Sequence, residues 1–183
     1  MRSLSRHARV RTAATRLAVA VLVAAPVAPL GAQPRAVTTA DSVTQAVQSF
    51  YTWYVPRARA ATSGAPWMMA VRARGALFAP AVVAALRRDS AASARHPEEV
   101  VGLDGDPFLN AQDPCERYVA RRTVPNGQRF RVEVVGQGGC GQHTRPDVVV
   151  EVARANGGWR FENFRYLDPP DDLLALLRRL PAR

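Results

Sequence analysis

Apolar residues recur at helical spacing shortly after the fortieth position. Val43, Ala46, Val47, Phe50, Tyr51 and Tyr54 fall on one face of a 3.6-residue period. The pattern predicts a helix over 41–55, capped by Thr39 or Asp41. Pro56 is expected to end it, because proline disfavours helical geometry in the residue before it. Residues 57–66 read as a loop rich in Ala, Ser and Gly. A second helical stretch covers 67–74 and breaks at Gly75. A third covers 80–94; Pro80 suits a first helical turn, and Val82, Val83 and Leu86 share one side. Residues 96–114 follow neither helical nor strand periodicity.

The period then changes to two. Phe130, Val132 and Val134 alternate with Arg129, Arg131 and Glu133, as in a strand with one buried and one wet face. Strands are predicted over 116–124 and 128–135, around Pro125-Asn126-Gly127. Two more are predicted over 147–155 and 159–166, around Asn156-Gly157-Gly158; both spacers are hairpin signals. Residues 136–145 form a glycine-rich loop. Residues 171–180 predict a short helix, with Leu173, Leu174, Leu176, Leu177 and Leu180 on its apolar face. Asp171 and Asp172 then sit at its positive end and Arg178 and Arg179 at its negative end. Helices first and strands later indicate an α+β domain, with helices packed on an antiparallel sheet of about four strands.

The N-terminus has a different pattern. Arg2, Arg6, Arg9, Arg11 and Arg16 precede an apolar run over 17–30, and Gly31-Ala32-Gln33 follows. A basic start, a short apolar stretch and a small residue at the cut mark a secretory signal peptide over 1–32. An uncleaved anchor is the alternative, but the run is short of the roughly 20 apolar residues a span needs. Pro26 and Pro29 also interrupt it. Residues 33–40 read as a flexible lead-in and 41–183 as one domain. Neither cysteine lies at the cut, which excludes a lipid-modified N-terminus there. The expected location is periplasmic or secreted.

Charge changes the picture less than its headline. The formal balance is +10, but five of the 25 basic residues fall in the signal, leaving +5 against 15 acids. The remaining arginines are scattered, so solvated faces are the reading and no nucleic-acid partner is expected.

Cys115 and Cys140 are the two cysteines, and an oxidising compartment favours a disulfide between them. If Val124 faces Gln128 across the turn, Cys115 lies opposite about residue 137, and Gly138-Gly139 lets Cys140 close the gap. A Cys140/His143 nucleophile pair is the alternative. The acidic stretch 104–113 resembles a calcium loop only at a glance. Phe108, Leu109 and Cys115 stand where an oxygen ligand, a glycine and a bidentate acid are required. Asp104 and Asp106 could act as a hydrolytic pair. Alternatively, Asp106 and Asp113 hold backbone amides of an ordered loop anchored by Phe108. Trp53 lies off the main helical stripe and could rim a pocket. His96 and His143 stand alone, without metal-ligand spacing. No phosphate loop, dinucleotide fingerprint or nucleophile elbow occurs, so neither metal nor cofactor is expected and no catalytic residue is assigned.

FYTWYV at 50–55 together with LDGDPFLNAQD at 103–113 resembles an exported bacterial family, domain of unknown function 3828, which envelope lipoproteins also resemble. The resemblance spans about 41–166. It implies a cone-like fold similar to nuclear transport factor two, with helices wrapped by a curved sheet. It carries over no catalytic residues. The functional expectation is a non-enzymatic binding module that uses a pocket or edge of that sheet for a small ligand or an envelope protein. Asp104, Asp106, Phe108, Gln112, Asp113 and Trp53 are the candidate ligand-contacting or loop-structuring residues. A small hydrolase or isomerase using acids of 104–113 is the alternative, and an inhibitor or immunity-like protein a third reading.

Overall fold

The computed structural model describes residues 38–180 except 63, 97, 100 and 142. The expected signal peptide, its cut before Gln33 and most of the lead-in lie outside the described residues.

Helix α1 spans Thr39–Ala60. Thr38 caps it in a reciprocal box: its hydroxyl accepts the Asp41 amide, and the Asp41 carboxylate accepts the Thr38 amide, each at 3.1 Å. The helix therefore starts two residues before the expected boundary, with Thr38 in the cap position. It also runs through Pro56. Proline removes one helical hydrogen bond, but the buried stripe continues past it to Ala58. Burial of that last turn outweighs the local penalty. The carbonyl of Trp53, one turn back, accepts a bond from the Arg57 guanidinium at 2.7 Å.

Helix α2 (Pro66–Arg74) passes at Gly75 into a short 3-10 turn, Gly75–Leu77. Helix α3 (Pro80–Arg95) begins on its proline and buries Val82 and Leu86.

Five strands, one more than expected, form an antiparallel sheet in sequence order: β1 (Arg117–Asn126), β2 (Arg129–Gln137), β3 (Val148–Ala155), β4 (Gly158–Leu167) and β5 (Pro170–Asp172). Asn126 faces Arg129, so the first hairpin turns on Gly127-Gln128, and Val124 faces Arg131 instead of Gln128. The strand runs through Pro125 because β1 is an edge strand, where a missing amide is tolerated. The second hairpin turns on Asn156-Gly157, both with positive φ, the geometry that suits strand twist. Helix α4 (Leu173–Arg179) begins after Asp172, whose carboxylate accepts the Ala175 amide at 2.9 Å. Leu173 is its one fully buried leucine.

Helix α1 lies along the edge of the sheet as well as over it. The Gln48 side chain donates to the Tyr118 carbonyl at 3.1 Å and accepts the Ala120 amide at 2.9 Å. The Thr44 and Thr123 hydroxyls are 2.6 Å apart. Between helices and sheet the space is filled by rings: Phe50, Tyr54, Phe78, Phe108, Phe161 and Phe164, with Phe108 and Phe164 centred 4.8 Å apart. The face where a binding cavity was expected is therefore occupied by side chains.

Candidate functional site

The segment between α3 and β1 supplies the ring that plugs this core. Phe108 and Leu109 are fully buried, and burying them takes the neighbouring backbone out of water. Three tyrosines meet three successive residues of the segment. Tyr54 donates to the Asp106 carboxylate, Tyr166 to the Pro107 carbonyl at 3.0 Å and Tyr51 to the Phe108 carbonyl at 2.8 Å. The other Asp106 oxygen accepts the Phe108 amide at 2.9 Å. The Asp106 amide donates to the Ala111 carbonyl at 2.8 Å, closing a tight turn in which Asn110 takes a left-handed φ of 51°. Each hydrogen bond satisfies a group that would otherwise be buried without a partner.

Burial pushes the Asp106 carboxyl up to about 6, against the opposing pull of its hydrogen bonds from Tyr54 and the Phe108 amide. Burial, reinforced by the charge of Asp106, raises Tyr51, Tyr54 and Tyr166, so their hydroxyls stay protonated and available as donors.

Next to this loop opens a cleft of about 340 Å³. Leu103, Pro107 and Ala111 line it from the loop, and Pro169, Leu176 and Leu180 from the C-terminal segment. Asp104, Asp106 and Asp171 add acid. Asp104 is exposed and accepts the Gln112 amide at 2.9 Å. Asp171 pairs with Arg179. The structure thus brings Asp104, Asp106 and Phe108 into one loop beside the cleft. Asp113 is exposed and does not line the cleft, and neither does Gln112. Trp53 lies elsewhere: half-buried, it packs beside Phe50 and carries the Arg74 guanidinium 4.2 Å and that of Arg57 5.0 Å from its ring. Leu176 and Leu180 as cleft walls, and the hydroxyls of Tyr51 and Tyr54 as donors, escaped the sequence reading, which placed these residues in apolar stripes.

Cys115 and Cys140 form a disulfide, with Cα atoms 5.0 Å apart. Neither sulfur is a free thiol, which removes the Cys140/His143 nucleophile pair. Their sulfurs and a His143 ring nitrogen lie within 4.8 Å of one another, but bonded sulfurs are not thiolate ligands for a metal. His143 places Nδ1 2.5 Å from an Asp147 carboxylate oxygen and Nε2 2.9 Å from the Cys140 carbonyl. Both are acceptors, so the ring makes both bonds only as the doubly protonated cation. The same two contacts raise its pKa. The other Asp147 oxygen accepts the Gly136 amide at 2.7 Å, tying β2 to the loop that carries the disulfide.

No helix among the described residues is long and apolar enough to cross a membrane. The disulfide is consistent with an oxidising, extracytoplasmic compartment. Compared with protein-family models, curated proteins and solved structures, the chain matches none.

Proposed function

We propose that the protein is an exported, non-enzymatic binding module, released by cleavage of a signal peptide into the periplasm or medium and related to the domain-of-unknown-function-3828 family. Its binding surface is the rim cleft between the loop at 102–111 and the C-terminal segment, since rings fill the space over the sheet. The observation that carries this reading is the state of Asp106. One of its oxygens accepts Tyr54 and the other the Phe108 amide. A carboxylate so engaged supports the cleft floor and is poorly placed to move a proton on a substrate. The apolar walls with Asp104 and Asp171 at the rim suit a small ligand with an apolar body and a donor or cationic group.

Native mass spectrometry of the mature protein purified from its own envelope fraction tests this. Wild type should retain a small ligand, and Leu176→Trp, which fills the cleft, should lose it. A protein that carries no ligand and draws no envelope partner would reject the reading.

One observation favours a hydrolase or isomerase: Asp106, whose carboxyl burial pushes up to about 6, lines a cleft. Turnover of an ester or glycoside panel, abolished in Asp106→Asn with folding intact, would establish it.

A further inference from the structure

Along the β1–β2 ladder, Ala120 faces Val134 and Arg122 faces Glu133, while Arg121 has no residue opposite. Arg121 is therefore the extra residue of a β-bulge, a device that re-aims the side chain it carries. Arg121 and Arg117 line one recess of about 280 Å³, together with His143, Thr144 and the glycine-rich segment after β2. No carboxylate lines this recess, and it shares no residue with the cleft beside Asp106.

The three neighbouring arginines differ in their partners. Arg122 pairs with Glu133 at 3.6 Å. Among the described residues no acid pairs with Arg117 or Arg121. Arg117 donates through Nε to the Gln137 side chain at 2.9 Å, which steadies the guanidinium and leaves its terminal nitrogens for another acceptor. His143 is held as a cation by Asp147 and the Cys140 carbonyl. Glu116 is the acid packed against the segment, at Gly138. A Cβ added at Gly138, whose φ is +77°, would stand 2.4 Å from a Glu116 carboxylate oxygen. Glycine there takes the positive φ and leaves room for the Glu116 side chain.

We propose that this recess is an oxyanion site that takes a phosphate group between the Arg117 and Arg121 guanidinium groups, with the His143 cation at its side. Planar guanidinium forks match phosphate oxygens two at a time, and a pair of them without acids has the charge such a group needs. The phosphate is that of a free anion or of a lipid headgroup, and two measurements separate these sources.

In the first, the mature protein is titrated calorimetrically with inorganic phosphate at low ionic strength. In the second, it is sedimented with phosphatidylglycerol vesicles. Wild type should bind saturably in at least one, and Arg117→Ala and Arg121→Ala should each weaken binding about tenfold or more. Arg122→Ala removes the same charge from the neighbouring position and should leave binding unchanged. Saturable phosphate binding with this pattern assigns a free anion; vesicle binding with this pattern and without phosphate binding assigns a headgroup. Absence of saturable binding in both, or equal weakening by Arg122→Ala, overturns the proposal. All three arginines are exposed, so melting temperatures should match wild type.

Discussion

Tyr54 donates its hydroxyl proton to Asp106, joining α1 to the loop that plugs the core across 52 positions of sequence. Asp106→Ala leaves the Tyr54 hydroxyl and the Phe108 amide buried without an acceptor, and each such group costs about 1–3 kcal/mol. Asp106→Asn keeps one acceptor oxygen and should cost less. Urea melts should rank wild type above Asn above Ala. If both variants melt like wild type while a ligand or activity disappears, the carboxylate belongs to a site instead of the loop.

Phe108 is the ring this loop inserts, in contact with Phe50, Phe78 and Phe164. Phe108→Ala should cost about 3–5 kcal/mol, the range for a fully buried ring replaced by a cavity. Chemical denaturation at constant slope measures it. A loss under 1 kcal/mol would mean the loop collapses into the space at little cost.

Asp106 and His143 are among the groups whose raised pKa makes stability fall with rising pH, in different windows. Asp106 titrates near 6 in the fold against an ordinary 3.8. The folded state holds that proton more tightly, so the Asp106 contribution is complete below pH 3.8 and is lost, by about 3 kcal/mol in all, as pH rises through about 6. His143 is raised above 6.5. Its contribution is complete below 6.5 and fades as pH climbs through its folded value. Denaturation midpoints across pH 3–9 should show both declines. Asp106→Asn should shrink the lower one, leaving the part due to Asp89, and His143→Gln should shrink the upper one.

The disulfide closes a separation of 25 residues. Cys115→Ser should lower stability by about 2–4 kcal/mol. Thiol titration of denatured, unreduced protein should find no free sulfhydryl, and two would disprove the bond.

Recovered from the envelope, the protein should have an intact mass that begins at Gln33, since Ala32 is the small residue after the apolar run. Full-length protein in the inner membrane would show an anchor instead.

Periodicity exposed the elements whose burial repeats along one strand or helix, such as the Val43–Val47–Phe50 stripe and the Val132–Val134 alternation. It failed where a contact distant in sequence decides the outcome. The rule for Pro56 is local, whereas the burial of Ala58 beyond it, which carries α1 onward, depends on packing. Strand β5 is Pro170-Asp171-Asp172, with no apolar alternation, and exists only through its pairing with β4. The bulge at Arg121 is a property of the ladder with β2 and leaves no mark in β1 itself. At the loop, Phe108 stood out as a ring among polar residues, but the tyrosine partners of Asp106, Pro107 and Phe108 lie 52–59 positions away, on elements whose docking no local pattern encodes.

A sheet ordinarily remains capable of growth at its outer strands, because their free amides and carbonyls can template another chain. In this protein a glutamine amide imitates that missing neighbour. Gln48 already gives Tyr118 its donor and Ala120 its acceptor, so an incoming strand meets a ladder position that is taken. At the opposite margin, β5 offers only three residues. A strand approaching β1 thus finds the position at Tyr118 and Ala120 already occupied, and a docking partner must engage surfaces other than that one.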